Sequence, residues 1–150
     1  MKIRFIIGLI LVLLVVGTGI WISGGSFLLF LDPYSFAIEI LASCFVIIMS
    51  FSIKEIRTAF AHVFDRETDN TANYRKDIVL FSAMQNIVTT VAITALLMGV
   101  IAMLSQLMDA AAIGRGLALA LLSGFYALIL QLALIIPCKT ILRKKQSMQQ

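Results

Sequence analysis

The sequence predicts an all-α, polytopic membrane protein with four transmembrane helices, and two observations predict it. Four long apolar runs, roughly Phe5–Ser23, Ser35–Ile53, Ile78–Leu104 and Gly114–Pro137, have about 19 to 27 residues each. A helix of that length crosses a hydrocarbon core of ~30 Å. Basic residues, in turn, collect on one side of these runs. Because a backbone in lipid must satisfy its own hydrogen bonds, a helical bundle is the economical way to place such runs. Composition agrees: hydrophobic residues make up 61% and charged residues 13%, with a mean hydropathy of +1.02. That balance excludes a water-soluble fold of this length. Residues 1–150 are read as a single membrane domain with almost no soluble part.

Each element follows from local signals. Lys2 and Arg4 before the first run imitate the basic start of a signal peptide, but the apolar stretch continues past Val16 to Trp21 without a clear small-x-small cleavage site. It reads as an uncleaved helix. A short connection, Gly24–Tyr34, leads to the second run. The segment 54–77 opens with helical spacing, Ile56, Phe60 and Phe64 recurring every four residues. The second helix is therefore expected to run on for a few turns below the membrane. Asp69, Asn70 and Thr71 are suitable N-caps, so the third helix should also begin below it. Two protruding helices joined near Asp65–Asn70 would form a short stalk. Ser105–Ile113 makes the second outer connection, the fourth run ends near Pro137, and Gln146–Gln150 is a polar tail.

Charge orients the bundle. Of the 12 Lys and Arg, only Arg115 falls on the outer side. By the positive-inside rule both termini and the middle loop are cytoplasmic. The net charge of +4 is thus a topological signal, and no nucleic-acid partner is implied. Cys44 lies inside the second run and Cys138 at the inner end of the fourth, so no disulfide is expected. A lone His62 near Asp65, Glu67 and Asp69 reads as part of a solvated loop, with no metal site. No nucleophile–base pair, metal set or phosphate-binding loop is present, which points away from an enzyme and from any cofactor.

Polar residues inside the runs carry the functional information, since each costs free energy in lipid unless it faces protein or water. Asn86, Thr90 and Thr94 form one stripe on the third helix. Gly116, Ala120, Gly124, Ala127 and Gln131 give the fourth a small-residue face of the kind that lets helices approach closely. Ser35, Glu39 and Ser43 share a face of the second. A carboxylate at Glu39 should be protonated, paired or water-facing. Two readings stand side by side: an outer ion-paired network of Glu39 with Arg115 and Asp32, or a Glu39 that snorkels unaided to the headgroups.

The segment Gly24-Gly-Ser-Phe-Leu-Leu-Phe-Leu-Asp-Pro-Tyr-Ser-Phe resembles the outer loop and second-helix entry of flagellar stator A-subunits of the MotA and PomA type. The likeness continues through Ser50-Phe51 and Lys54-Glu-Ile-Arg-Thr-Ala-Phe. It resumes at Met98-Gly-Val-Ile-Ala-Met-Leu and at Ala112-Ile-Gly-Arg-Gly-Leu-Ala-Leu-Ala-Leu-Leu-Ser-Gly-Phe-Tyr, ending near Pro137. These stretches cover about two-thirds of the chain in the right order. The resemblance, to a branch of the MotA/TolQ/ExbB superfamily, implies a multi-pass protein of the bacterial inner membrane. It implies five copies in a ring around two single-span MotB-like B-subunits, which carry the ion-binding aspartate, with ion flow (H+ or Na+) turning the ring to power motility. Carried over, Asp32 would admit ions, and Thr90, Thr94 and Ser123 would line their route. Asn86, Thr90 and Thr94 would face the B-helices. Gly24, Gly25, Gly114, Gly116 and Pro137 match structural positions of the family.

Departures bear on mechanism. The large cytoplasmic region that contacts the rotor is reduced to about 25 residues. The family proline entering the third helix aligns with Thr89, a threonine with Leu96, and the paired fourth-helix threonines with Ser123 and Gly124. The second-helix glycine pair becomes Leu41-Ala42, and Glu39 stands where relatives are apolar. The expected function is a compact A-type subunit of an ion-driven, proton-driven motor coupled to an envelope process. The alternative is a non-conducting, stator-like scaffold. A small transporter is a third reading for which no substrate site is visible.

Overall fold

The computed structural model describes residues 2–22, 24, 27–65, 73–105, 108 and 110–149, with the side chains of 2–4, 29 and 110 left aside. Helix α1 spans Lys2–Ile22, α2 Pro33–Ser50, α3 Ile53–Phe64, α4 Tyr74–Leu104, α5 Ala110–Leu130 and α6 Ile136–Ser147. Among the described residues there is no strand. Four helices among these residues are long and apolar enough to cross a membrane: α1, α2, α4 and the continuous α5–α6 rod.

Gly24 turns the chain out of α1. Its N–H bonds Trp21 O at 3.1 Å, and its φ of +69° is the left-handed conformation that favours glycine. A 3-10 turn, Phe27–Phe30, follows. Asp32 then caps α2, its Oδ2 accepting from Ser35 N at 2.7 Å, and Pro33 supplies a pre-set first helical residue.

The second helix does not run on below the membrane as its periodicity predicts. It stops at Ser50, Phe51 is extended (φ −136°, ψ 144°), and a new helix starts at Ile53. The cause is local: Glu55 Oε2 accepts from Ser52 N at 2.9 Å, half of a capping box that the Ser52-x-x-Glu55 spacing encodes. The predicted face nevertheless packs. Phe60 meets Phe81 with ring centroids 5.1 Å apart, and Phe64 meets Phe5 at 5.4 Å. The caps predicted at Asp69–Thr71 lie outside the described residues; Asn73 caps α4, accepting from Lys76 N at 3.3 Å.

Helix α4 has 31 residues, about 46 Å of rise, so it exceeds a ~30 Å core by roughly ten residues. It is the hub, packing against α2, α3, α5 and α6. Around its first turns lies an aromatic and aliphatic core built from Ala59, Val63, Tyr74, Phe81, Cys138 and Leu142, all essentially inaccessible. Farther along, the contacts are made by small residues. A Cβ placed on Gly99 would sit 2.7 Å from Ala120 Cβ, and one on Gly116 would sit 3.3 Å from Gly99 O. Large side chains there point outward, as in helices that meet in lipid. Helix α1 is peripheral, none of Phe5–Ile22 being buried.

The helix that carries the fourth run continues past Pro137. Proline has no N–H and its ring clashes with the carbonyl four residues back. The chain absorbs this with a five-residue π segment, Gln131–Ile135, in which Ile136 N–H reaches Gln131 O. Helix then continues as α6 to Ser147.

Candidate functional site

The inward face of α2 carries Ser35, Glu39, Ser43 and Ile47, one residue per turn and each under 9% exposed. It packs on α4 and α5. Glu39 is wholly inaccessible, and neither of its carboxyl oxygens nor Ser43 Oγ has a hydrogen-bond partner among the described residues. The Glu39–Arg115 network therefore does not form inside one subunit, and Arg115 points outward. Unaided snorkelling does not describe Glu39 either, because its side chain turns into the bundle.

Asp32 lies at the mouth of this face. Tyr126, from α5, donates its hydroxyl hydrogen to Phe30 O at 2.6 Å and accepts from Asp32 N at 2.9 Å, so it pins the entry turn to the bundle. Phe36 packs edge-on against the same ring, centroids 5.6 Å apart. The Ser35 hydroxyl holds the Asp32 carboxyl below its ordinary value of 3.8, helped by the Ser35 and Tyr34 backbone N–H groups and opposed by slight desolvation. The cap thus stabilises fully above about pH 4 and is lost as pH falls through the lowered value. Asp32→Ala should cost ~1 kcal/mol at neutral pH. Asp32→Asn should keep most of the cap while flattening the acid limb, both readable from thermal melts followed by circular dichroism between pH 3 and 7.

The other proposed ion-path residues differ in exposure. Ser123 is buried and bonds Leu119 O at 3.3 Å on its own helix. Thr90 and Thr94 are exposed, donating to Asn86 O and Thr90 O at 2.9 Å. Ser123 is thus turned inward on α5 while the threonine stripe faces outward on α4. The small face of α5 also differs by one residue: Ala112, Gly116, Ala120, Ser123, Ala127 and Gln131 turn inward, whereas Gly124 has no neighbour within 4 Å of its would-be Cβ. Among the family-matched glycines, Gly24 makes the turn and Gly116 the close contact. Gly114 has open space around it, and Gly25 lies outside the described residues.

Beside the threonine stripe runs a polar ladder that the sequence reading missed. Gln131 Nε2 donates to Thr89 Oγ1 at 3.0 Å, Thr89 Oγ1 donates to Gln85 O at 2.9 Å, and Lys139 Nζ donates to Gln85 Oε1 at 3.1 Å. Gln85 and Thr89 form an i, i+4 pair adjacent to Asn86–Thr90–Thr94, which was the available signal. With the exposed Asn86, Thr89, Thr90 and Thr94 beside it, α4 is hydrophilic along an outward seam, within a segment long enough to cross a membrane.

At the other end His62 is not part of a solvated loop. It belongs to α3, half-buried, with Nδ1 2.6 Å from Asp77 Oδ2 and its ring edge-on to Tyr74. Lys145, 1% exposed, donates to His62 O at 2.6 Å and Asp65 O at 2.8 Å, tying α6 to the end of α3. No family model matches the sequence, and comparison with curated proteins finds no match.

Proposed function

We propose that the chain is an A-type, MotA-like subunit of a proton-driven membrane motor. It forms a ring, of five copies by the resemblance, around a single-span B-type dimer in the bacterial inner membrane, with α3 and both termini cytoplasmic. The observation that carries this reading is the outward seam of Asn86, Thr89, Thr90 and Thr94, all exposed on α4. Amides and hydroxyls on the outside of a spanning helix are costly against lipid and inexpensive against other protein or water. A partner helix or a central channel gives the seam its surroundings, and Arg115 and Asp32 sit at the opposite mouth from the basic end. Ion flow would supply ~2.3 kcal/mol per charge for each 100 mV. With only a short helical stalk on the inner side, the motor would act on an envelope partner rather than on a flagellar rotor.

Native mass spectrometry of the protein in mild detergent tests the assembly. A homopentamer holding two copies of a single-span chain is expected; a monomer or dimer without such a chain would sink the rotary mechanism. Glu39→Gln tests whether this subunit contributes a proton-carrying carboxyl of its own. Proton flux into reconstituted vesicles is expected to be abolished with the assembly intact, and unchanged flux would leave the essential carboxylate to the B-subunit alone. The burial of Ser123 where Thr90 and Thr94 are exposed favours a second reading, a non-conducting stator-like scaffold, for which an intact ring without flux is the signature.

A further inference from the structure

The break between α2 and α3 opens a groove of about 670 Å3, lined by Phe51, Lys54, Arg75, Lys76 and Val79 among others. It exists because α3 leaves the axis of α2 at the extended residues Phe51 and Ser52 while α4 continues straight. Both carboxylates on its wall are engaged: Asp77 with His62 Nδ1 at 2.6 Å, and Glu55 with Ser52 N at 2.9 Å. Lys54, Arg75 and Lys76 are exposed and have no ion pair among the described residues. Phe51 and Val79, the latter 58% exposed, add apolar surface on the side of the spanning segments.

From this juxtaposition we propose that the groove binds the phosphate headgroup of an anionic membrane lipid. Its level in the fold selects a lipid over a free anion. Ser50 closes the apolar helix immediately before Phe51, and the apolar run of α4 opens at Ile78 immediately after Asp77. Three cations therefore stand at the height where a headgroup sits, with acyl chains free to descend past Val79 and Phe51. Basic pockets between helices at this boundary recognise acidic headgroups in this manner, and each Lys or Arg near the surface is worth about fivefold in binding. The site does not depend on a motor function.

The test uses the full chain in mild detergent, with native mass spectrometry reading bound lipid. Phosphatidylglycerol should be retained and phosphatidylcholine with the same acyl chains lost. Lys54→Gln/Arg75→Gln/Lys76→Gln should weaken phosphatidylglycerol binding by about a hundredfold, whereas Arg143→Gln/Lys144→Gln, on the exposed side of α6, should leave it unchanged. Phosphatidylglycerol carrying a photoreactive acyl chain should label the wild-type peptide containing Val79, a result independent of how the variants fold. Equal retention of the two lipids, an unaffected triple variant, or labelling spread over all helices would overturn the site. So would displacement by millimolar inorganic phosphate, which marks a free-anion site, or binding of polyglutamate in place of the lipid, which marks a site for an acidic protein segment.

Discussion

Lys145→Met is expected to destabilise the chain by about 2–3 kcal/mol, while Lys144→Met next to it changes stability by less than ~0.5 kcal/mol. The contrast follows from position. Lys144 is exposed on α6, whereas Lys145 is almost fully enclosed and donates to two carbonyls, His62 O and Asp65 O, at 2.6 and 2.8 Å. Those carbonyls belong to the last turn and cap of α3, where acceptors have no partner within the helix and the helix dipole is negative. A hydrogen bond with a charged donor is worth ~1.5–3 kcal/mol, and removing the donor leaves its acceptors to find water. Asp65 is exposed enough to find it, which keeps the loss below the sum of two such bonds. The Tyr74 ring, its centroid 5.9 Å from Nζ, adds a cation–π contact that methionine cannot make. Denaturant titration in micelles, followed by circular dichroism, measures both variants. Equal losses at the two positions would mean that Lys145 acts through general charge rather than through this clasp.

Gly99→Ala is expected to cost about 1–3 kcal/mol, although alanine is the better helix former. The new methyl would lie 2.7 Å from Ala120 Cβ, 3.0 Å from its Cα and 3.1 Å from its backbone nitrogen, so α4 and α5 would have to separate. Gly114→Ala is the matched control: no described residue lies within 4 Å of its added Cβ. There the substitution should stabilise by up to ~1 kcal/mol, because it removes glycine's excess freedom in the unfolded chain. Ala120→Gly should rescue Gly99→Ala only in part, since it relieves the methyl contact and leaves the backbone contacts in place. A double-mutant cycle read by unfolding in detergent gives that coupling directly. Full rescue, or no cost at Gly99, would show that the helices are not held at this distance by the missing side chain.

The four long helices were legible because length and hydropathy act over twenty residues at a time. The inward face of α2 was legible too, since Ser35, Glu39 and Ser43 repeat at four-residue spacing. One boundary was misread, and one helix ran farther than its apolar run. At Ser52 the hydrophobic period continued across a capping box, and a local hydrogen bond outweighed the pattern. At Pro137 a helix-breaking residue was absorbed by a widened turn whose cost tertiary packing offsets. The polar ladder was half visible: Gln85 and Thr89 lie on one stripe, but their partners Gln131 and Lys139 come from 42 and 54 residues away. Lys145 was the least legible, because a lysine in a basic tail looks solvated until the fold closes over it. The same holds in reverse for Glu39 and Arg115, whose charges and depth suggested a pair that the packing of one chain does not make.

The π segment before Pro137 has a consequence for how the two ends of the long α5–α6 rod relate. A turn that takes in one extra residue sets the helical phase after it back by roughly 100°, which is how such a turn absorbs a one-residue insertion. Ala120, Ser123 and Ala127 are buried on α5, which packs on α4 and α2, and Cys138, Leu142 and Lys145 on α6, which packs on α4 and α3. One rod thus answers to two sets of neighbours without bending its sequence periodicity to fit both. The offset works like a vernier, setting the basic end of the bundle in angle independently of the membrane-spanning end.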